Sequence, residues 1–200
     1  MLAPSAAAQD TLELVNYVAG INNGSFYVGA ANGVLDGNNI IMTCVDPSDE
    51  VSFGQSWTVT IVPLSNPSAL DNTILAGVTG LDFQADFLLS QEFNGANPND
   101  SEVHQAIWNF ADPSAFPLTT AEQALQTAAY DGVGDYDFSQ AYLLVPTQAG
   151  SNQQYAGQVF EYGTVQPTDV PEPATPWLVA IFGATALWIR SARTKRHSLV

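Results

Sequence analysis

Apolar and polar positions change their period along this chain, and the changes divide it into segments. Between residues 10 and 63 the apolar residues come in short runs: Leu12 and Leu14, Phe26-Tyr27-Val28, Ile40-Ile41-Met42-Thr43-Cys44-Val45, Val51-Ser52-Phe53, and Trp57-Thr58-Val59-Thr60-Ile61. Alternation with period two places successive side chains on opposite faces of a strand, so these runs predict half-buried or buried strands. Asn32-Gly33 and Asp36-Gly37 read as turns, because tight hairpins need residues that tolerate positive φ. Close spacing and tight turns predict antiparallel pairing.

From Leu81 the period becomes helical. Leu81, Phe83, Ala85, Phe87, Leu88, Leu89 and Phe93 fit one helix with a broad apolar face, stopped at Asn94-Gly95. A second helix follows Asn97-Pro98, with Asn99 and Glu102 at capping-box spacing and Val103, Ala106, Ile107 and Phe110 on one face. Asp112-Pro113 ends it. Thr119 and Glu122 cap a third helix over residues 120–130, closed by Gly132. Strands return at residues 141–145 and 153–162. This order predicts one α+β domain over residues 10–162: a mostly antiparallel β-sheet or sandwich with about three helices on one side. Residues 163–170 read as a Pro/Thr linker.

Charge changes the picture at the C-terminal end. All 20 acidic residues lie between Asp10 and Glu172, whereas the 4 basic ones are Arg190, Arg193, Lys195 and Arg196. Between the two sets run thirteen uncharged, mostly apolar residues, Trp177 to Ile189, which predict a transmembrane helix over 177–189. Basic flanks stay on the cytoplasmic side, so the tail is expected inside and the acidic domain outside. An acidic domain without a single Lys or Arg excludes nucleic acid and anionic lipid surfaces as its partners. Cations, basic proteins and neutral polysaccharides fit the same charge. A lone cysteine, Cys44, rules out an internal disulfide. At the other end, Ala6-Ala7-Ala8 before Gln9 has the small-residue form of a signal-peptidase site, so residues 1–9 read as the end of a signal peptide that begins upstream.

Pro171-Glu172-Pro173, the apolar run and the Arg-rich end together resemble the PEP-CTERM protein-sorting signal of Gram-negative bacteria. The resemblance, over residues 171–200, implies export across the inner membrane and transient anchoring with the C terminus in the cytoplasm. It further implies processing by an exosortase-type enzyme and delivery to the cell surface or to an exopolysaccharide matrix. It is an address and implies no activity. In the body of the chain, Cys44-Val45-Asp46, the 51–57 segment, Asn97-Pro98-Asn99-Asp100-Ser101 and His104-Gln105-Ala106-Ile107-Trp108 resemble a group of uncharacterised PEP-CTERM cargo proteins.

Four chemistries compete for the remaining residues. An early-strand cysteine with a Gln-x-Ala-Ile-Trp-like helix resembles bacterial surface thioester domains, which capture nucleophiles covalently through a Cys–Gln bond. Aligning Ala106-Ile107-Trp108 with that pattern puts His104 at the reactive position. Gln105 is one residue away, about 100° around the helix, and faces away from the core. Cys44 and His104 also form the minimum of a cysteine hydrolase; the plainer reading is a buried apolar cysteine and a helix histidine hydrogen-bonded beside Trp108. Hard cations take oxygen ligands from glycine-containing acidic loops, which makes Asp46, Asp49 and Glu50, and more so Asp131, Asp135 and Asp137, candidates for weak Ca²⁺ binding against the plainer reading of solvated turn acids. Tyr27, Tyr136, Tyr142 and Tyr155 are candidates for glycan stacking. The expectation is a non-enzymatic exported protein with a structural or interaction role and no cofactor, and the alternative is a Cys44-dependent covalent-capture or hydrolytic domain.

Overall fold

A computed structural model describes residues 10–18, 26–72, 74–93, 100–147, 157–164 and 166–167. Six strands close into an antiparallel barrel: β1 (Asp10–Tyr17), β2 (Ala31–Leu35), β3 (Asn38–Cys44), β4 (Ser56–Pro63), β6 (Ala141–Pro146) and β7 (Phe160–Gly163), paired around the ring in the order β1-β2-β3-β7-β6-β4. Three helices, α1 (Gly80–Ser90), α2 (Asp100–Ala111) and α3 (Thr120–Gly132), are inserted between β4 and β6. The fold is therefore α+β, as expected, but the sheet is a closed barrel and not an open sheet or sandwich. Closure depends on β1 pairing with β4 (Leu12 opposite Trp57) and β3 with β7 (Cys44 opposite Phe160). Closing the ring removes the unpaired edges that an open sheet would expose.

Strand alternation builds two apolar cores on the two sides of the barrel wall. Leu12, Leu14, Met42, Cys44, Val59, Leu144 and Phe160 fill the interior. Their neighbours Val45, Leu143 and Val159 face outward and join Phe83, Phe87, Ile107 and Trp108 of the helices. Each such buried side chain contributes about 1.5–3 kcal/mol.

Asp36 and Gly37, with φ of 48° and 80°, form the β2–β3 hairpin that their sequence predicts. Asn32-Gly33, in contrast, does not turn. It lies inside β2, where Gly33 pairs with Ile40 and leaves room for the Met42 side chain, 2.8 Å from where a Cβ would stand. Val51-Ser52-Phe53 forms a loop, and of Phe26-Tyr27-Val28 only Tyr27 makes an isolated bridge. The helices begin as read. Thr119 and Glu122 form a full capping box on α3, and Thr79 with Asp82 forms another on α1. Helix α1 also starts against a short 3₁₀ turn at Pro67–Ala69, so tightly that a Cβ on Gly80 would sit 1.8 Å from the Pro67 carbonyl oxygen.

Within the stretch read as a linker, β8 (Gln166–Pro167) pairs with β5 (Tyr136–Asp137). Among the described residues no helix is long and apolar enough to cross a membrane. Residues 1–9, the 177–189 segment, Pro171, Glu172, Pro173, the basic tail, Asn99 and Tyr155 lie outside the described residues.

Candidate functional site

Cys44 ends β3, and its side chain turns into the barrel while its carbonyl turns toward α2. The sulfhydryl, 1% exposed, donates to the Asp46 carbonyl at 3.3 Å. Burial, together with the Asp46 charge, pushes the thiol well above its ordinary range. Such a sulfur is held as a thiol, and thiols are poor nucleophiles.

His104 lies one helical turn before Trp108, and both reach the same acceptor. His104 Nε2 is 2.8 Å and Trp108 Nε1 is 3.1 Å from the Cys44 carbonyl oxygen. The Gly29 backbone N–H donates to His104 Nδ1 at 2.8 Å. A backbone amide can only donate, so Nδ1 is unprotonated and Nε2 carries the hydrogen that the Cys44 carbonyl accepts. The ring is fully buried, 4.2 Å from the Trp108 ring centroid, and burial lowers its pKa to about 4. Both nitrogens are committed to the backbone. The histidine meets the cysteine at its carbonyl and not at its sulfur, as a bracket between β3, the Gly29 turn and α2. The plainer reading of Cys44 and His104 is the one the geometry supports.

Gln105 points the other way, as its place on the helix predicts: its side-chain amide donates to the Pro117 carbonyl at 3.1 Å on the exposed side. The thioester geometry, which needs a glutamine carbonyl against the sulfur, is not formed by these residues. Asp137 takes Ser139 N and Oγ at 2.9 and 3.0 Å, and the Asp46 carboxylate accepts from Ser48 N at 2.9 Å. Among the described residues no three His, Cys, Asp or Glu side chains gather as a metal site, so Asp131, Asp135 and Asp137 are not brought together as one. Tyr142 stacks on Tyr162 at 5.3 Å.

Above Cys44 a cleft of about 410 Å³ opens at the barrel mouth. Its lining includes Tyr17 from β1, Tyr27, Phe53, and Trp108 from α2, with the acids Asp49 and Glu50. Tyr17 and Tyr27 are stacked at 5.4 Å with 14° between their planes, and Phe53 is tilted against Tyr27 at 5.1 Å. Tyr27 is 41% and Phe53 47% exposed, unusual for large apolar side chains so well supplied with neighbours. The Gln158 amide fastens the acidic loop by donating to the carbonyls of Asp46 and Asp49. Sequence reading found Tyr27 alone of the three exposed-side rings. Tyr17 and Phe53 come from segments 36 residues apart, and only the barrel brings them together.

Compared with protein-family models, curated proteins and solved structures, the chain matches none.

Proposed function

We propose that this chain is an exported surface or matrix protein that acts by binding and not by catalysis, and that the aromatic cleft at the barrel mouth is its binding surface. Its C-terminal Pro171-Glu172-Pro173 signal directs it to the envelope, where an exosortase-type enzyme processes it. The observation that carries the binding reading is the cleft: exposed rings of Tyr27 and Phe53, supported by Tyr17, beside the carboxylates of Asp49 and Glu50. The locked hydrogen bonds of His104 remove the base that a Cys44 hydrolase would need.

The occupant that fits is an organic ammonium group. Ring faces attract a cation at about 0.5–2 kcal/mol each, the two carboxylates add charge, and a domain without Lys or Arg draws cations toward it. A neutral sugar gains nothing from that field. Choline is the probe, titrated into the full chain while the fluorescence of Trp108 in the cleft wall is followed. Its uncharged carbon isostere should bind at least about five-fold more weakly, and Tyr27→Ala or Phe53→Ala should weaken choline by a similar factor. Equal affinity for choline and the isostere, or choline binding that survives both substitutions, overturns the assignment. Preferential binding of a neutral oligosaccharide does the same and points to the exopolysaccharide instead.

A further inference from the structure

On the opposite side of the barrel wall, two carboxylates are buried against each other's elements. Glu161 sits on β7 between Phe160, which fills the barrel, and Tyr162, which packs on the same interior cluster, so alternation turns it out toward the helices. Asp86, in the middle of α1 between Ala85 and Phe87, is near enough for the two charges to interact. Both acids are 1% exposed, and among the described residues Asp86 Oδ1 and both Glu161 oxygens have no hydrogen-bonding partner. Burial holds both carboxyls well above the usual carboxylate range, and for Asp86 the nearby charges of Glu161 and Asp82 add to it. No side chain of this domain can neutralise them. No Lys or Arg occurs before Arg190, and His104 is neutral and engaged elsewhere.

We propose that the space between α1 and β7 is a binding site for a hard divalent cation of the calcium class, with Glu161 as the charged ligand that lines it and Asp86, whose charge acts on Glu161 from α1, as the second carboxylate the cation neutralises. A cavity of about 140 Å³ opens on Glu161, and its wall carries neutral oxygens from Thr43, Ser90 and Gln91. Ser90 follows Asp86 by one helical turn on the same side of α1. Its hydroxyl hydrogen goes to the Phe87 carbonyl at 2.7 Å, which leaves one Oγ lone pair for a cation beside the one that accepts from Gln91. Gln91 donates to that oxygen through Nε2 at 3.3 Å and keeps its carbonyl oxygen as a donor to metal. Carboxylate and neutral oxygens in this mixture are calcium ligands, and two charges in place of three or four give a weak site, with Kd of about 10⁻⁴–10⁻³ M. Protons compete for the same pair, with Asp82, Tyr130 and Tyr162 as the other titratable groups around it. The site is separate from the acidic turn around Asp131, Asp135 and Asp137 and independent of the cleft.

The test is thermal unfolding of the full chain at pH 7 after EDTA treatment, with Ca²⁺ or Mg²⁺ added back at equal ionic strength. Calcium at ten times its Kd should raise Tm by about 3–6 °C, and Mg²⁺, which keeps its waters and demands tighter geometry, by less. The double substitution Glu161→Gln and Asp86→Asn should raise the EDTA-treated Tm and abolish the excess of Ca²⁺ over Mg²⁺. An equal shift for both ions, or a calcium-specific shift that persists in the double variant, overturns the site. So does a variant stabilised without any calcium response in the parent, which would assign the pair to protons. Should the double variant fail to fold, Tb³⁺ luminescence of the parent, sensitised by Tyr162, decides: emission displaced by Ca²⁺ supports the site, and no displaceable emission refutes it.

Discussion

Replacing His104 with leucine tests whether the histidine is a structural bracket. At neutral pH the substitution strips the Gly29 N–H of its acceptor, whereas the Cys44 carbonyl keeps Trp108 Nε1. One orphaned buried amide costs about 1–3 kcal/mol, and leucine matches the ring closely enough in volume to avoid a large cavity. The pH dependence is the sharper signal. Burial lowers the pKa of His104 from 6.5 to about 4 on folding; at about 1.4 kcal/mol per unit this amounts to roughly 3 kcal/mol. The group is fully buried, so no discount for solvent applies. A depressed pKa means that the unfolded chain binds the proton more readily. The contribution is therefore complete above pH 6.5 and is lost as pH falls toward 4, with about 2 kcal/mol gone by pH 5. Asp86 and Glu161 have the opposite slope: their raised pKa values favour the folded state at low pH and lose that benefit as pH rises. Raw stability curves mix the two, so the quantity to measure is the difference between parent and His104→Leu in urea unfolding, taken at several pH values from 7 to 4.5. The gap should be about 1–3 kcal/mol at pH 7 and should close or reverse by pH 4.5. Parallel curves across that range would mean that His104 is not held neutral, and the bracket reading fails.

Two further outcomes follow from the same junction. Cys44 in the native protein should react with iodoacetamide at pH 8 at least about a hundredfold more slowly than a small free thiol, and the intact mass of the unprocessed chain should show no ammonia-sized deficit; fast labelling, or such a deficit, would restore a reactive cysteine. Gly29→Ala should destabilise by about 1–3 kcal/mol in denaturant unfolding, because Gly29 has φ of 90° and a Cβ there would stand 3.1 Å from Asp100 Oδ2. An unchanged midpoint would show that the turn is not held as described.

Local chemistry was legible in the sequence and long-range pairing was not. The Thr119–Glu122 capping box and the Asp36-Gly37 turn each depend on a few consecutive residues, and both form. Asn32-Gly33 has the same local character as Asp36-Gly37 and yet is strand, because the glycine is needed for the space Met42 occupies, and no local pattern reports a partner nine residues away in another strand. Barrel closure is harder still. It rests on β1 meeting β4 and β3 meeting β7, contacts that leave no periodic trace in either partner. The Cys44–His104 relation shows a different limit. Residue types suggested a side-chain pair, and the fold does bring the two residues together, but through a backbone carbonyl, which a list of side chains never contains.

A domain without Lys or Arg must stabilise its carboxylates by other means, and the pattern of that stabilisation singles out the exception. Asp36 accepts from Thr11 N, Asp71 from Gly80 N, Asp82 from Thr79 N, Asp112 from Ser114 N and Ala115 N, Glu122 from Thr119 N, and Asp137 from Ser139 N. Turn and helix-start amides thus do the work that lysines and arginines do elsewhere, and they are placed where the backbone has unpaired donors to offer. Such donors exist only at the ends of elements. Asp86 is in the middle of α1, and Glu161 lies in a strand whose amides belong to the barrel ladder. The solution that serves the other carboxylates is closed to these two by their position in the fold. Whatever neutralises them comes from outside this domain's own side chains, which is why the calcium titration at α1 and β7 tests the logic of the whole acidic domain and not only one cavity.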